Sequence, residues 1–338
     1  MAKPVPVPAE IIDFIKTGSK FLVAGHEEPD GDCVGSQLAL ASALRRLGKE
    51  AIPCSAGPFK RTEVMPYADR FIVKPGEKER EGARVIVTDC SGLHRTGDLE
   101  PCLKGLLLAL IDHHATGDHP AGTLIFLDPH APSVTFMILG LIEALGLTPT
   151  AEEAEFLLFG LCTDTGFFRH ADAGGAETFA YASRMIEAGA NPKKAFQAIN
   201  GGKSLNSRKL MGLVLSRAEE YFDGRLILSS EKYEETQSFG LEGRDSDMVY
   251  QLLQSVAGVE AVVVIRQESP ARPDGTNDLS PGKCAIGFRS RDQVDVSVIA
   301  ASFGGGGHKN AAGLMVPGTI AEWKPKILAA FEKVFSEN

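Results

Sequence analysis

Four short clusters of acidic and imidazole residues stand where metal chemistry would need them. The first, His26-Glu27-Glu28-Pro29-Asp30-Gly31-Asp32, follows the apolar run Phe21–Gly25. Asp89 follows Arg84–Thr88, Asp112-His113-His114 follows Leu106–Ile111, and Thr163-Asp164-Thr165-Gly166 follows Phe156–Leu161. Brought together, Asp30, Asp32, Asp89 and Asp164 would repel as bare anions, because close carboxylates cannot all stay ionised without compensation. Divalent cations supply it. Two ions roughly 3.5–4 Å apart, bridged by one carboxylate, balance four Asp and two His ligands, make hydroxide available near neutral pH and clamp phosphoryl oxygens. A mixed imidazole and carboxylate set suits Mn²⁺, Fe²⁺ or Co²⁺ better than Ca²⁺, which prefers oxygen alone. Each aspartate alone has a plainer use as a turn residue or helix cap. It is the order of all four, each behind an apolar element, that points to a metal centre.

A second chemical feature lies near the C-terminus. Gly304–Gly307 carry no side chains, so backbone N–H groups there could approach an anion closely. His308 after them and Arg289 before them can supply charged hydrogen bonds to a phosphate. Taken alone, four glycines are equally a plain loop.

The elements that must hold these residues alternate. Phe21–Gly25, Ala51–Ala56, Phe71–Val73, Arg84–Thr88, Leu106–Ile111 and Leu124–Leu127 read as strands; Val34–Leu47, Ser133–Leu145 and Glu152–Leu161 read as helices. Strands apolar on both faces and alternating with helices predict an α/β unit, a parallel sheet with helices on both faces. In such a sheet, sites form beyond the carboxyl ends of the strands, so the ligand clusters fall on one edge. The stretch Ala188–Ser207, rich in Gly, Asn and Lys, interrupts the pattern and reads as a linker. After it, Arg225–Ser229, Ala261–Ile265 and Cys284–Phe288 read as strands, Arg272–Gly282 as an exposed turn or loop, and Val294–Phe303 and Ile320–Phe335 as helices, predicting a smaller mixed α/β domain. The expected division is 1–190, a linker over 191–215, and 216–338.

Composition narrows the class. The 338 residues are 43% hydrophobic, enough to bury a core, and suggest two domains. The longest clean apolar run, Leu106–Ile111, is far short of a membrane span, and MAKPVPVPAE carries no signal-peptide pattern, so the expectation is a cytoplasmic protein with no membrane partner. A net charge of −9 counts against gripping a long duplex. From Ala271 onward the chain holds eight basic and seven acidic residues, so the acidity lies in the larger domain. Six cysteines without a C-x-x-C pair read as buried thiols.

The motifs resemble a known family. H-x-x-P-D-G-D, an Asp after a strand, D-H-H and then T-D-T is similar to the order in DHH phosphoesterases. Phe288-Arg289-Ser290-Arg291 with Gly304–His308 and Ala311-Ala312-Gly313 looks like the DHHA1 domain with its G-G-G-H signature. The best match is the compact subgroup of nano-RNases and 3′-phosphoadenosine-5′-phosphate phosphatases. The resemblance implies that His26 and Asp30 ligate one metal, that Asp32, His113 and Asp164 ligate the other, and that Asp89 bridges them. It implies that Asp112 orients a neighbouring His and that His114 faces the scissile phosphate, the two acting as catalytic residues. Arg289, Ser290, Gly305, Gly306, Gly307 and His308 would bind substrate, with the active site in the inter-domain cleft. The usual metal is manganese, two ions per site, with Mg²⁺ or Co²⁺ as substitutes. The implied substrates are short oligoribonucleotides, dinucleotides or nucleoside 3′,5′-bisphosphate, and a homodimer is an open expectation. Two other activities stay open: a phosphodiesterase for cyclic di-AMP or its linear dinucleotide, and a nucleotide-binding regulator without catalysis. Ser133, in Asp128-Pro129-His130-Ala131-Pro132-Ser133, reads as a helix cap or a substrate contact. Arg169 reads as a phosphate contact or the cap of an element. His94 and His119 match no motif position.

Overall fold

A computed structural model describes residues 5–114, 117, 119–169, 175–240, 245–269, 282–291 and 293–336. Most of the stretch read as an exposed loop over 272–282 lies outside the described residues, as does His170. Contacts divide the chain into two compact units, Met1–Gly202 and Lys203–Asn338.

The first unit is built on five parallel strands: β1 Lys20–Ala24, β2 Glu50–Cys54, β3 Arg84–Thr88, β4 Leu108–Asp112 and β5 Leu124–Leu127, in the order β2-β1-β3-β4-β5. Strand residues alternate between two cores. Phe21, Val23, Ile86, Ala109 and Ile111 face one side, where helices Gly31–Arg46, Val134–Ala144 and Ala151–Asp164 pack. Leu22, Ala24, Val85, Val87 and Leu108 face the other, closed by Leu93, Leu99 and Leu103. Both faces are covered, which is why these strands are continuous apolar runs. Phe71–Val73 makes only an isolated bridge between Cys54 and Ile72. Of its three apolar residues only Phe71 is buried, so there is too little to dock a full strand.

The stretch read as a linker carries two helices, Pro192–Asn200 and Leu205–Ser216, and the units divide between them. Asn191 and Ser204 cap them through their side chains. These polar residues had read as loop because a cap and a linker draw on the same residue types.

The second unit holds a six-stranded mixed sheet: β6 Glu219–Tyr221, β7 Leu226–Glu231, β8 Ala261–Ser269, β9 Lys283–Ser290, β10 Gly306–His308 and β11 Ala311–Pro317, in the order β10-β11-β9-β8-β7-β6. Only β7 and β8 pair in parallel. Helix Ile320–Ser336 buries Trp323, Ile327, Phe331 and Phe335 on one face. Helices Leu205–Ser216 and Ser246–Gln254 cover part of the other through Met211, Val214, Val249 and Tyr250. Among the described residues, no helix is long and apolar enough to cross a membrane.

Candidate metal centre

The strand ends deliver their ligands to one place. β1 runs into His26, β3 into Asp89, and β4 ends on Asp112 before His113 and His114. Helix Gly31–Arg46 adds Asp32 from its first turn, and helix Ala151–Asp164 adds Asp164 as its last residue. Among the described residues three groups have donor atoms within 4.8 Å of one another: His26 with Cys33 and Asp89, Asp89 with His113 and His114, and Asp32 with His113 and Asp164. Asp89 belongs to two of them. His26 Nε2 lies 3.6 Å from Asp89 and 3.8 Å from Asp30. His113 Nε2 lies 3.8 Å from Asp89 and 3.3 Å from Asp164.

Neighbouring groups orient the donors. His26 Nδ1 donates to the Glu27 carbonyl at 2.7 Å and His113 Nδ1 to the Ala131 carbonyl at 3.1 Å, so in both rings Nε2 is the nitrogen turned to the cluster, where a cation would take the place of a proton. Buried Asp32 accepts from the backbone N–H groups of Val134 and Thr135, at the start of helix Val134–Ala144. Asp30 Oδ1 caps helix Gly31–Arg46 by accepting from Cys33 N at 3.1 Å. Asp112 Oδ1 accepts from the N–H groups of His113 and His114 and from His114 Nδ1 at 2.7 Å. Its other oxygen is buried and finds no hydrogen-bond partner among the described residues. His114, with 53% of its side chain exposed, is the most open of these donors.

The electrostatics show strain that a cation relieves. Burial, followed by the charges of Asp32, Asp89 and Asp30, pushes the Asp164 carboxyl up to about 10. Burial and the Asp89 charge raise Asp32 well above the carboxylate range, against the hydrogen bonds from Thr135 and Val134. Burial disfavours a charged His26, yet Cys33, Asp30 and Asp89 raise its pKa on balance. Asp30 is half-buried, which works against ionisation, but the His26 imidazole beside it pulls it down to about 2. Imidazole and carboxylate donors converge where protons now have to neutralise them. That donor set fits divalent cations.

The second unit has a cavity of its own, about 480 Å³. Ala285, Gly287, Ala311 and Gly313 of β9 and β11 contribute small residues to its lining, and helices contribute Leu210, Met211, Val249 and Tyr250. Arg289 lies over the Tyr250 ring at 4.7 Å.

Comparisons with known proteins identify the family. The profile of the DHH family, N-terminal domain, matches residues 20–161, and that of the DHHA1 domain matches residues 231–337. The chain is 32% identical over 310 residues to the bifunctional oligoribonuclease and PAP phosphatase NrnA of Thermus thermophilus, covering 92% of this chain and 87% of that protein. The chain belongs to the DHH family. It is also 26% identical to the protein of the same name from Bacillus subtilis, over 97% of this chain and 99% of that one. The crystal structure of an exopolyphosphatase-related protein from Bacteroides fragilis superposes with a TM-score of 0.79 at 22% identity, covering 97% and 95% of the two chains, and shows the same fold.

Within this DHH chain the expected substrate residues divide. Arg289, Gly306 and Gly307 line the second unit's cavity; Ser290, Gly305 and His308 are not among its lining residues. Ser290 follows Arg289 on β9 and so points to the opposite face, where its hydroxyl donates to the Val294 carbonyl at 2.6 Å. The glycines serve the fold as well as any ligand. A Cβ on Gly305 would lie 2.5 Å from that of Leu314, and Gly307, at φ +145°, would place one 2.5 Å from the Ala311 carbonyl. Gly306 has open space in front of it. Ser133 takes the cap reading, accepting from Phe136 N at 3.2 Å, and Arg169 Nε closes a local turn onto the Gly166 carbonyl. The site also holds residues outside the four motifs. Buried Cys33 sits within the His26 group, and Arg61 and Arg95 line the cavity of about 550 Å³ in front of the cluster. Arg95 was within reach of sequence reading, six residues after Asp89; Arg61 gives no such signal.

Proposed function

We propose that the chain is a divalent-metal-dependent phosphoesterase that hydrolyses short oligoribonucleotides and nucleoside 3′,5′-bisphosphate. The observation that carries this reading is Asp89, nearly buried and shared between the His26 group and the His113 group. His26 and Asp30 would hold one cation, Asp32, His113 and Asp164 a second, and Asp89 both, with Mn²⁺ favoured by the imidazole and carboxylate set. When bound, the cations supply Lewis acidity and neutralise charge on the phosphoryl group.

The chain's own residues do the rest. Hydrolysis adds water across a P–O bond, and the departing oxygen needs a proton. His114 would give it. Its Nδ1–H is held by Asp112, which leaves Nε2 to face outward, and that hydrogen bond raises the pKa of the ring, against a smaller effect of burial. Asp112 acts by fixing that ring, and the N–H bonds from residues 113 and 114 keep it in place. The DHHA1 domain contributes nucleotide binding through Arg289, Tyr250 and the small-residue strands beside them. The relatives named oligoribonuclease and PAP phosphatase support the substrate class.

The test is a turnover panel in Mn²⁺ and in Mg²⁺ with a dinucleotide, a five-nucleotide RNA, adenosine 3′,5′-bisphosphate and cyclic di-AMP. We expect the dinucleotide and the bisphosphate to dominate and Mn²⁺ to support the higher rate. Dominance of cyclic di-AMP would overturn the substrate assignment, and binding without turnover would make the chain a regulator.

A further inference from the structure

The acidic cavity carries too much negative charge to accept a phosphate on its own. Asp30, Asp89 and Asp164 line it together with Glu27 and Glu28, and Asp32 and Asp112 belong to the same cluster. Glu28 is paired with Lys60. The five aspartates leave one negative charge over even against two divalent cations, Glu27 adds another, and Arg61 on the same lining offsets only one of them. A phosphoryl group that arrives with one or two charges of its own needs fixed positive charge beside it.

Arg95 is built for that place. It sits six residues after Asp89, in the turn that closes the β3 edge of the site. Its N–H donates to the Gly92 carbonyl at 3.1 Å, and its own carbonyl accepts from Glu27 N at 2.8 Å, beside the ligand His26. Gly97 at φ +58° sets the turn against Glu27, where a Cβ would come 2.7 Å from its carboxylate. The backbone of Arg95 therefore ties the Asp89 loop to the His26 loop. The side chain lines the cavity with His114 yet forms no hydrogen bond or ion pair among the described residues, although Asp30, Asp89 and Asp164 line the same cavity. An arginine held by its backbone and left unpaired beside an acidic site offers its five donors to something that arrives.

We propose that Arg95 is a catalytic residue that holds the non-bridging oxygens of the phosphoryl group under attack. The proposal rests on the phosphoesterase reading above. A guanidinium fork matches a phosphate bidentately, and it matters most for a terminal phosphate that carries up to two charges, as in the bisphosphate, rather than one, as in a diester.

The test compares Arg95→Gln, which removes fork and charge, with Arg95→Lys, which keeps charge alone. In Mn²⁺ we expect Arg95→Gln to lose about 10²-fold in kcat/KM on a dinucleotide and more on adenosine 3′,5′-bisphosphate. Arg95→Lys should recover part of the loss. Two binding readouts go with the rates. Inorganic phosphate should bind the Mn²⁺-loaded Arg95→Gln protein about tenfold more weakly than wild type, by calorimetry. Mn²⁺ affinity, read by electron paramagnetic resonance, should not change. Rates within threefold of wild type on both substrates with unchanged phosphate affinity would overturn the proposal. So would loss of Mn²⁺ binding in both variants, which would make Arg95 a support of the loops. If Arg95→Gln does not fold, Arg95→Lys carries the same comparison. A wild-type chain that hydrolyses neither substrate would overturn the phosphoesterase reading instead, and the phosphate affinities would still decide Arg95.

Discussion

Two cavities of similar size, about 550 and about 480 Å³, have opposite linings. The first gathers ionisable groups from the ends of three strands and two helices, and almost nothing apolar faces it. The second is walled by Leu210, Met211, Val249 and Tyr250 over small strand residues, and its charged lining residues are Arg289, Arg266, Glu231 and Asp245. On the proposed function, the difference separates two tasks. A reaction at phosphorus needs dense, fixed charge held by buried backbone contacts, as Asp32 and Asp112 are held. Recognition of a nucleotide needs a flat apolar surface for a base and a few donors for its phosphate. The contrast predicts that damage to the first cavity acts on kcat and damage to the second on KM.

The largest way to test this contrast is to remove the cations. Chelation should abolish hydrolysis of the dinucleotide, and Mn²⁺ should restore it, while the far-ultraviolet circular dichroism of the chain stays unchanged. Hydrolysis that persists after complete chelation would break the assignment of chemistry to the first cavity. A smaller effect is expected in the second. Arg289→Ala should raise KM about tenfold, about 1.4 kcal/mol of binding, with kcat near wild type. A kcat effect of equal size with KM unchanged would mean that the second cavity takes part in the reaction itself. A further measurement reads the first cavity without any substrate. In the metal-free chain Asp164, at about 10, and Asp32 hold protons that their unfolded counterparts release near pH 4, and His26 likewise holds its proton above its ordinary value. Above pH 4 the folded chain thus binds more protons than the unfolded chain, and its stability falls as pH rises. Asp30, at about 2, acts the other way only below pH 4. The melting temperature without metal should therefore drop from pH 5 to pH 9, and the stabilisation by Mn²⁺ should grow over the same range. A flat profile would contradict the crowding of carboxylates. The smallest effect is a control: exposed His94→Ala should leave both kinetic constants within twofold.

The cluster of candidate ligands was legible because each group follows a strand or helix whose apolar run is hard to misread. β3 and β5 coincide with the runs Arg84–Thr88 and Leu124–Leu127, and the order of the acidic motifs supplied the rest. Residues that act through space were not legible. Arg61 stands in a loop without periodicity, and only the fold brings it to Asp30 and Asp164. Cys33 read as a buried thiol, and burial does push it up to about 12, yet the first turn of helix Gly31–Arg46 sets it beside His26 and Asp89. In the second domain, strand alternation separates Arg289 from Ser290, a distinction that a motif written as consecutive letters hides. The glycine run had suggested ligand approach throughout, whereas Gly305 and Gly307 are also required by the close passage of β11. The aromatic wall at Tyr250 belongs to helix Ser246–Gln254, whose capping residue Asp245 gives no hint of what the helix covers.

On the proposed function, Asp89 joins two halves of one metal centre. Asp89→Asn keeps the size of the side chain and removes its charge, so Mn²⁺ calorimetry on both proteins, followed by dinucleotide turnover, tests the claim most directly. We expect about two Mn²⁺ per wild-type chain, fewer in Asp89→Asn, and a loss of activity of at least about 10³-fold with the fold intact. Near-normal turnover in Asp89→Asn, or equal Mn²⁺ binding by the two proteins, would contradict it.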